Sequence, residues 1–484
     1  MTGNRLTEFA SIFYPKSHAV IGASANTRKF GGRYLRTLLD FGYSGKVYPV
    51  NPQESEVFGL QTYASVSDIP EPVEFASIAV PARAVPGVAE ECLFKGVKAL
   101  QILSAGFREL GEDGTRLERE LTAIAARGIR IVGPNCFGVY CPGGGMTILP
   151  GANLPKEPGP VGFISQSGGY TIRVPRRADG YGIRFSKAVS YGNACDVNEC
   201  DLLEYFLEDP ETKVIISYLE GVKDGSRFYQ LLREVCRTKP VIIWKGGLTE
   251  VGARAAKSHT ASLSGEEAVW EALFRQTGAI RVNNLEELLD TTIAFLHLGP
   301  VTGQRVCSIG GGGGIGVAAA DTWERAGLSV PLFPAELEKK LLSIIPPTGA
   351  SAGNPVDVGN PFPAPEMLRS VLDTVCTGTD IDILVIDEIE MTVPAGLQGF
   401  RPSDSLREIV QIPLEARDRF GKPVVVVMPV EAISADSLES EGERRKIRDF
   451  FLRNGIPVYL TKERAAQALA NLTGYYRYRN STHT

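Results

Sequence analysis

The chain has 484 residues, 43% of them hydrophobic and 22% charged, which is the composition of an ordinary globular protein of roughly three domains. The net charge of −5 argues against nucleic acid or a membrane surface as a partner, because proteins that bind these usually carry a basic excess. No apolar run approaches the roughly 18 residues that span a bilayer, and the amino-terminal residues lack a secretory signal pattern. These features predict a cytoplasmic protein.

The eight cysteines are scattered along the chain without the CxxC or Cys/His spacing of a metal site. Reduced thiols are the expected state of such cysteines in the cytoplasm. We therefore predict no bound metal ion in this chain.

The first third begins with an apolar strand that runs into a Gly/Ser turn in "HAVIGAS", near Gly22. Apolar runs then follow in "KVYPVNP", "FASIAVP", "KALQILSAG" and "IRIVGPN". An NAD-binding domain would carry Asp or Glu at the end of the second strand, where this chain has Asn51-Pro52. The basic Lys46 at the start of that strand favours a ligand with a phosphorylated ribose, coenzyme A before NAD, with NADP still open.

The middle and last thirds of the chain each begin in the same way, with an apolar strand that leads into a glycine-rich turn. "PVGFISQSGG" turns near Ser165 and "RVCSIGGGGGIG" turns near Gly310, and each is followed by further apolar runs: "FSKAVSYGN", "KVIISYLEG" and "KPVIIWKGG", then "DILVID" and "KPVVVVMPV". Strands that alternate with helical patterns predict parallel α/β sheets. Gly/Pro-rich linkers near residues 141–160 and 297–304 separate three predicted domains, 1–142, 158–297 and 303–475.

Glycine-rich turns before helices present backbone N–H groups to anions, so three of them indicate a protein that handles phosphorylated ligands. The alternative is that the glycines only permit tight turns. The Gly310–Gly316 run could equally be only a flexible turn.

One of only four histidines, His259, lies in "AAKSHTASLSGEE". Ser264 and Glu267 form an S-x-x-E capping box, which places His259 in the loop before a helix. Neutral imidazole can accept and release a phosphoryl group near pH 7, although the residues alone favour a structural loop histidine. The other three, His18, His297 and His483, are predicted to be structural.

The motifs "GYSGKVYPVNP", "AVPA", "SAGF" and "GPNCFGV" resemble the CoA-binding domain of the NDP-forming (ADP-forming) acyl-CoA synthetases, a family that includes succinyl-CoA synthetase. The resemblance to the α subunits continues through "ISQSGG", "YLEGV", "KSHTASLSG" and "NPVDVG" and covers nearly the whole chain. It implies a Rossmann-like CoA-binding domain followed by two flavodoxin-like domains. The last of these would contain Gly310–Gly316 and "NPVDVG" in phosphate-binding or interface roles.

The resemblance also implies site residues. His259 would be the phosphorylated histidine and Glu220 the carboxylate that holds it. The phosphate-binding residues would be Ser165, Gln166, Ser167, Gly168 and Gly169. The CoA-binding residues would be Gly22, Ala23, Ser24, Lys46, Val80, Pro81, Ser104, Ala105, Gly106 and Asn135.

The implied reaction is acyl-CoA + phosphate + NDP giving a carboxylic acid + CoA + NTP, reversibly. The chain has no P-loop and no stretch that resembles an ATP-grasp domain. With its end at "TGYYRYRNSTHT", it is expected to be a free-standing α subunit. The Mg-nucleotide (ADP or ATP) would bind a separate ATP-grasp β subunit in a hetero-oligomer such as α2β2.

One segment departs from the family. "YTIRVPRRADGYG" places Pro175 where a helix interior is expected, which predicts a kinked or shortened helix, and adds Arg173, Arg176 and Arg177. A solvated basic face is the favoured interpretation, and a site altered for an acidic acyl group or for partner docking is the other. The segment also leaves open a catalytically altered CoA-binding protein or an acyl- or carbamoyl-transferase of the same fold. An NADP oxidoreductase would need a catalytic pair that we do not find.

Overall fold

The computed structural model describes residues 5–148, 153–254, 266–359, 363–389, 391, 403–430 and 438–482. These residues form two compact units, Met1–Leu285 and Glu286–Thr484, of which the first contains two of the three main sheets. The alternation of apolar runs with helical patterns is thus expressed as an α/β fold, as predicted.

Every apolar run named above forms a strand. The strands are β1 (Ser17–Ile21), β2 (Lys46–Val50), β3 (Glu56–Val57), β4 (Leu60–Gln61), β5 (Phe75–Ile78), β6 (Ala99–Ile102), β7 (Arg130–Val132), β8 (Gly138–Tyr140), β9 (Val161–Ser165), β10 (Phe185–Ser190), β11 (Val214–Leu219), β12 (Val241–Lys245), β13 (Ile280–Val282), β14 (Val306–Gly310), β15 (Val356–Asp357), β16 (Ile383–Asp387), β17 (Val424–Val427) and β18 (Val458–Tyr459).

The main helices are α1 (Arg5–Phe13), α2 (Phe30–Phe41), α3 (Val85–Lys95), α4 (Glu112–Ala125), α5 (Gly168–Asp179), α6 (Glu199–Glu208), α7 (Gly225–Val235), α8 (Glu267–Thr277), α9 (Leu285–His297), α10 (Gly313–Arg325), α11 (Ala335–Leu342), α12 (Pro365–Gly378), α13 (Ser403–Phe420), α14 (Leu438–Arg453) and α15 (Lys462–Ser481). Among the helices of the described ranges, none has both the length and the apolar character that a membrane crossing requires.

The first sheet has the strand order β2-β1-β5-β6-β7, and all of its pairs are parallel. Strand β1 is buried along its whole length, as expected for a central strand covered on both faces. The carboxyl ends of β1, β5 and β6 therefore meet at one edge, where the turns after Ile21, Ile78 and Ile102 come together.

The second sheet has the order β13-β12-β11-β9-β10-β8 and is parallel except at β8, which pairs antiparallel with β10. The first helix of the chain also packs beside this sheet: the Phe13 ring lies 4.6 Å from that of Tyr205 on α6. Segments at both ends of the first predicted domain thus contribute to the packing of the second.

The second unit holds the third sheet, in the parallel order β15-β14-β16-β17-β18. Helix α9 packs within this unit, where the Arg464 guanidinium donates to the Asp290 carboxylate at 2.6 and 2.8 Å. Buried apolar side chains of the strands, of α12 and of α13 make up its core.

Candidate functional site

The turn after β9 leads directly into helix α5, and its serines and glycines form the amino-terminal cap of that helix. The Ser167 hydroxyl caps the helix by accepting from the Tyr170 N–H at 3.4 Å, and the Ser165 hydroxyl donates to the Ser167 carbonyl at 2.8 Å. A Cβ at Gly168 would lie 2.8 Å from the Phe137 ring, so this position requires glycine. The predicted phosphate turn therefore has the form of an anion site: small residues at the positive end of a helix dipole.

Helix α5 does not stop at Pro175, so of the two predicted outcomes, a kinked or a shortened helix, the shortening is wrong and the kink stays a prediction. The helix continues to Asp179 because Pro175 removes only one backbone donor, while Ile172, Val174 and Ala178 are buried beside it and stabilise the helix by packing. Arg173, Arg176 and Arg177 are exposed, and together with Gly169 and Ile172 they line an open groove of about 450 Å³.

Glu220 follows the last residue of β11, where it is held against the phosphate turn by the side chain of Gln166. The Gln166 Oε1 accepts from the backbone N–H of Glu220 at 2.8 Å and from that of Gly221 at 3.1 Å. Gln166 and Glu220 are 6% and 7% exposed, so both are buried. The structure thus brings the predicted carboxylate and the predicted phosphate turn together.

Lys245, the last residue of β12, lies on the other side of Glu220. Its Nζ donates to the Glu220 carbonyl at 2.8 Å and also to the Gly246 carbonyl, and it lies 5.1 Å from the centroid of the Trp270 ring. Burial lowers the pKa of Lys245 to about 8, an effect that the nearby Glu220 partly opposes.

A cavity of about 620 Å³ lies between the carboxyl edge of the first sheet and the amino end of α5. Nine predicted residues line it: Val80, Pro81, Ser104, Ala105 and Asn135 from the first sheet, with Gln166, Ser167, Gly168 and Gly169 from the phosphate turn. Two of the turns that line the cavity are joined by a hydrogen bond, which the Ser104 hydroxyl donates to the Val80 carbonyl at 2.5 Å.

Sequence reasoning missed seven residues of this lining, which are Phe30, Ala79, Leu103, Cys136, Phe137, Gly192 and Asn193. All but Phe30 lie inside stretches that the sequence analysis quotes, which are "AVPA", "KALQILSAG", "GPNCFGV" and "FSKAVSYGN". The motifs pointed to the right turns, but which side chains face a common space depends on the packing of two sheets.

Two other predicted CoA residues, Ser24 and Gly106, do not line the cavity, and carboxylates of the chain itself bind their turns. Glu54 accepts from the Ser24 hydroxyl at 2.7 Å and from the Ala25 N–H at 2.9 Å. Glu109 accepts from the Gly106 N–H at 2.7 Å. Gly22 and Ala23 do not line the cavity either, and a Cβ at Gly22 would lie 2.6 Å from the Ala79 carbonyl oxygen, so Gly22 serves close packing.

Lys46 lies at the amino end of β2 and forms an ion pair with Glu71. Ligands of open α/β sheets bind at the carboxyl ends of the strands, which is the opposite edge. The structure therefore does not place Lys46 with the other predicted CoA residues.

His259 and Ser264 lie outside the described residues. The helix after them is α8, which begins at Glu267 with Glu266 as its N-cap and no side-chain cap. Helix α8 thus begins two residues later than the predicted capping box requires, with Glu267 as its first residue and not its third. Of the other histidines, His18 is buried and its Nε2 lies 2.6 Å from the Ser77 hydroxyl, and burial lowers its pKa to about 3.

The glycine run of the second unit, Gly310–Gly316, also leads from a strand into a helix, as predicted. Here the Asp357 carboxylate accepts from the Gly312 N–H at 2.9 Å and from the Gly359 N–H at 2.8 Å. Asp387 is also close, since a Cβ at Gly310 would lie 2.6 Å from its carbonyl oxygen.

Comparison with known proteins matches both halves of the first unit. Residues 16–142 match the family model of a CoA-binding domain, and residues 158–295 match that of a succinyl-CoA ligase-like flavodoxin domain. CoA binding and the flavodoxin-like fold, both predicted from the motifs, are confirmed at the level of the family.

Two curated relatives extend the match to nearly the whole chain. The α subunit of the ADP-forming acetate–CoA ligase I of Pyrococcus furiosus is 39% identical over 474 residues, 96% of each chain. The ADP-forming acetate–CoA ligase of Methanocaldococcus jannaschii is 36% identical, and the match covers 97% of this chain but only 63% of that protein.

A solved structure agrees with these relatives. The acetyl-coenzyme A synthetase 1 of Ca. Korarchaeum cryptofilum, described as dinucleotide forming and solved with phosphate and ADP, superposes with a TM-score of 0.82. It is 33% identical and the match covers 98% of both chains. With this fold, these matched domains and these full-length relatives, the chain belongs to the ADP-forming acyl-CoA synthetase family.

Proposed function

We propose that this chain is the α subunit of an acid–CoA ligase that converts acyl-CoA, phosphate and NDP reversibly into a carboxylic acid, CoA and NTP. The observation that carries the proposal is the cavity whose wall joins the CoA-type turns of the first sheet to the Ser165–Gly169 turn. A thioester held by the first set and a phosphate held by the second would meet in the same space. This proximity is what the first chemical step needs.

The reaction would proceed in three transfers. A phosphate oxygen attacks the thioester carbonyl, the C–S bond breaks, and CoA leaves as the thiolate, which takes up a proton. A nitrogen of His259 then attacks the phosphorus of the acyl phosphate, and the carboxylate leaves with the electrons of the P–O bond. An oxygen of the NDP finally takes the phosphoryl group from histidine, which yields NTP.

Glu220 would hold the imidazole of His259 in the tautomer that presents a nucleophilic nitrogen, and it would support the positive charge that develops on phosphorylation. Its burial against Gln166 makes it a rigid acceptor, because the backbone that carries it is fixed. The amino end of α5 would stabilise the roughly two negative charges of the phosphoryl group.

A second chain would supply the nucleotide. The relative from Pyrococcus furiosus is named as one subunit of its enzyme, and the relative from Methanocaldococcus jannaschii is longer than this chain. We propose an ATP-grasp β subunit that binds Mg-ADP or Mg-ATP, in a hetero-oligomer such as α2β2. The acid itself is left to experiment, with acetate as the first candidate.

The test starts from the nucleotide side, where the identity of the acid does not matter. The tagged chain, purified with the proteins that accompany it, is incubated with Mg²⁺ and γ-³²P-labelled ATP or GTP, and separately with labelled phosphate and a panel of acyl-CoAs. We expect acid-labile, base-stable label on His259 and none in a His259→Asn variant. A complex that shows no such label from nucleotide or from acyl-CoA would overturn the proposal.

A further inference from the structure

Glu220 lies one residue beyond the main-chain ladder of the second sheet, between the neighbouring strands β12 and β9. The last ladder bonds on either side run from the Gly246 N–H to the Leu219 carbonyl and from the Gln166 N–H to the Tyr218 carbonyl. Beyond that point side chains take over: the Gln166 Oε1 accepts from the Glu220 N–H, and the Lys245 Nζ donates to the Glu220 carbonyl, both at 2.8 Å.

We propose that Gln166 and Lys245 are positioning residues that fix the peptide of Glu220, and thereby the direction of its carboxylate. The inference rests on the proposed function, in which Glu220 orients the phosphorylated histidine. It adds that the orientation depends on one side chain from each neighbouring strand.

Packing alone does not account for a lysine at position 245. Its side chain is only 4% exposed, and its pKa, lowered to about 8, shows that burial disfavours the ammonium form. A methionine would fill a similar volume without this cost. What the amine adds is a pair of hydrogen bonds to the carbonyls of Glu220 and Gly246, together with a contact to the Trp270 ring.

Gln166 connects two parts of the site. It lines the cavity, and its Oε1 accepts from two successive N–H groups, those of Glu220 and Gly221. A shift of the phosphate turn would therefore move the backbone of Glu220 with it. This connection fixes the position of the Glu220 carboxylate relative to the phosphate turn.

The test uses Lys245→Met with Lys239→Met as its matched control. Lys239 precedes the same strand, β12, at its amino end and donates to the carbonyls of Phe206 and Asp209 at 2.6 Å each, so its removal also deletes lysine–carbonyl bonds but far from Glu220. We expect Lys245→Met to lower kcat at least about tenfold with the KM for CoA and phosphate within about twofold, and Lys239→Met to leave kcat within about twofold.

A double-variant cycle separates positioning from general damage. If Lys245 acts through Glu220, Lys245→Met adds little to the defect of Glu220→Gln, whereas independent effects would multiply. Gln166→Met should behave in the same way and carries the test if Lys245→Met fails to fold. Multiplying effects, or equal losses for Lys245→Met and Lys239→Met, would overturn the inference.

The outcome is distinguishable from a failure of the proposed function. If the wild-type complex forms no phosphohistidine, the proposed function itself fails. If the wild type is labelled on His259 and Lys245→Met and Gln166→Met are labelled at the same rate, only the positioning role fails.

Discussion

The turns Ser165–Gly169 and Gly310–Gly316, one in each unit, are alike in sequence and differ in what meets their N–H groups. Both follow a buried strand and open a helix. In the second, the Asp357 carboxylate already binds the Gly312 N–H. Among the described residues, no carboxylate binds the N–H of Gly168 or Gly169. The glycines permit the same tight turn in both units. The neighbouring side chains determine whether the N–H groups of the turn can bind an external anion.

The largest expected effect comes from giving the first turn the charge of the second. Ser167→Asp keeps a good N-cap but places a negative charge where phosphate would bind, so we expect the KM for phosphate to rise at least about a hundredfold with the Tm unchanged. Ser167→Asn, similar in size and also a good cap, is the control and should change KM much less. Equal effects of the two variants would show that charge is not the deciding difference.

Asp387 offers a pH-dependent test of the second turn. Burial raises its pKa from 3.8 to about 6, so the folded state binds this proton more tightly than the unfolded chain does. The loss of stability caused by the buried, charged carboxylate is therefore fully present above pH 6 and is relieved as the pH falls toward 3.8. Asp387→Asn should therefore raise the free energy of unfolding by about 2–3 kcal/mol at pH 7.5 and by little near pH 4.

Urea denaturation at both pH values, followed by fluorescence of the buried Trp323, measures this effect in the second unit. Asp382 precedes the same strand, β16, at its other end, where the Arg305 guanidinium holds its pKa below the ordinary value. Asp382→Asn should accordingly lower stability at pH 7.5. A stability gain for Asp387→Asn that did not depend on pH would contradict the assignment.

Removing Asp357 tests its role as the internal anion. Asp357→Ala leaves the N–H groups of Gly312 and Gly359 without their acceptor, which should lower the free energy of unfolding by about 2–3 kcal/mol. Asp357→Asn retains an acceptor oxygen and should lose less. The same denaturation measurement applies, and an unchanged stability in the Ala variant would mean that the carboxylate is dispensable.

The smallest effect concerns the glycines themselves. A Cβ at Gly314 meets nothing within 4 Å, so Gly314→Ala should stabilise helix α10 by about 0.4–1 kcal/mol. At Gly310 a Cβ would lie 2.6 Å from the Asp387 carbonyl oxygen, and Gly310→Ala should destabilise. Thermal unfolding of the two variants separates them, and a common sign would contradict this account of the run.

The strand–turn–helix plan of the chain could be predicted because each apolar run is short and ends in glycine or serine. The order of strands could not, since it depends on contacts between distant segments. The position of Lys46 could have been predicted correctly from the sequence. Lys46 begins strand β2, and the start of a strand lies at the edge of the sheet opposite to the ligand-binding edge.

The side chains that form hydrogen bonds to the backbone of the turns could not be predicted from the sequence. Glu54 and Glu109 give no local sign that they bind the turns at Ser24 and Gly106. Gln166 was predicted in the right turn, but its bonds to Glu220 and Gly221 join residues more than fifty positions apart. Such contacts follow only from the parallel pairing of β9 with β11.

The pairing of β8 with β10 bears on how the protein can be divided for expression. Strand β8 belongs by sequence to the CoA-binding segment 16–142, yet it forms the edge of the second sheet. A fragment cut after residue 142 would carry β8 without its partner and would leave β10 of the remaining chain with an open edge. Unpaired edges of this kind promote aggregation, so fragments should be designed to keep residues 138–140 with the second sheet.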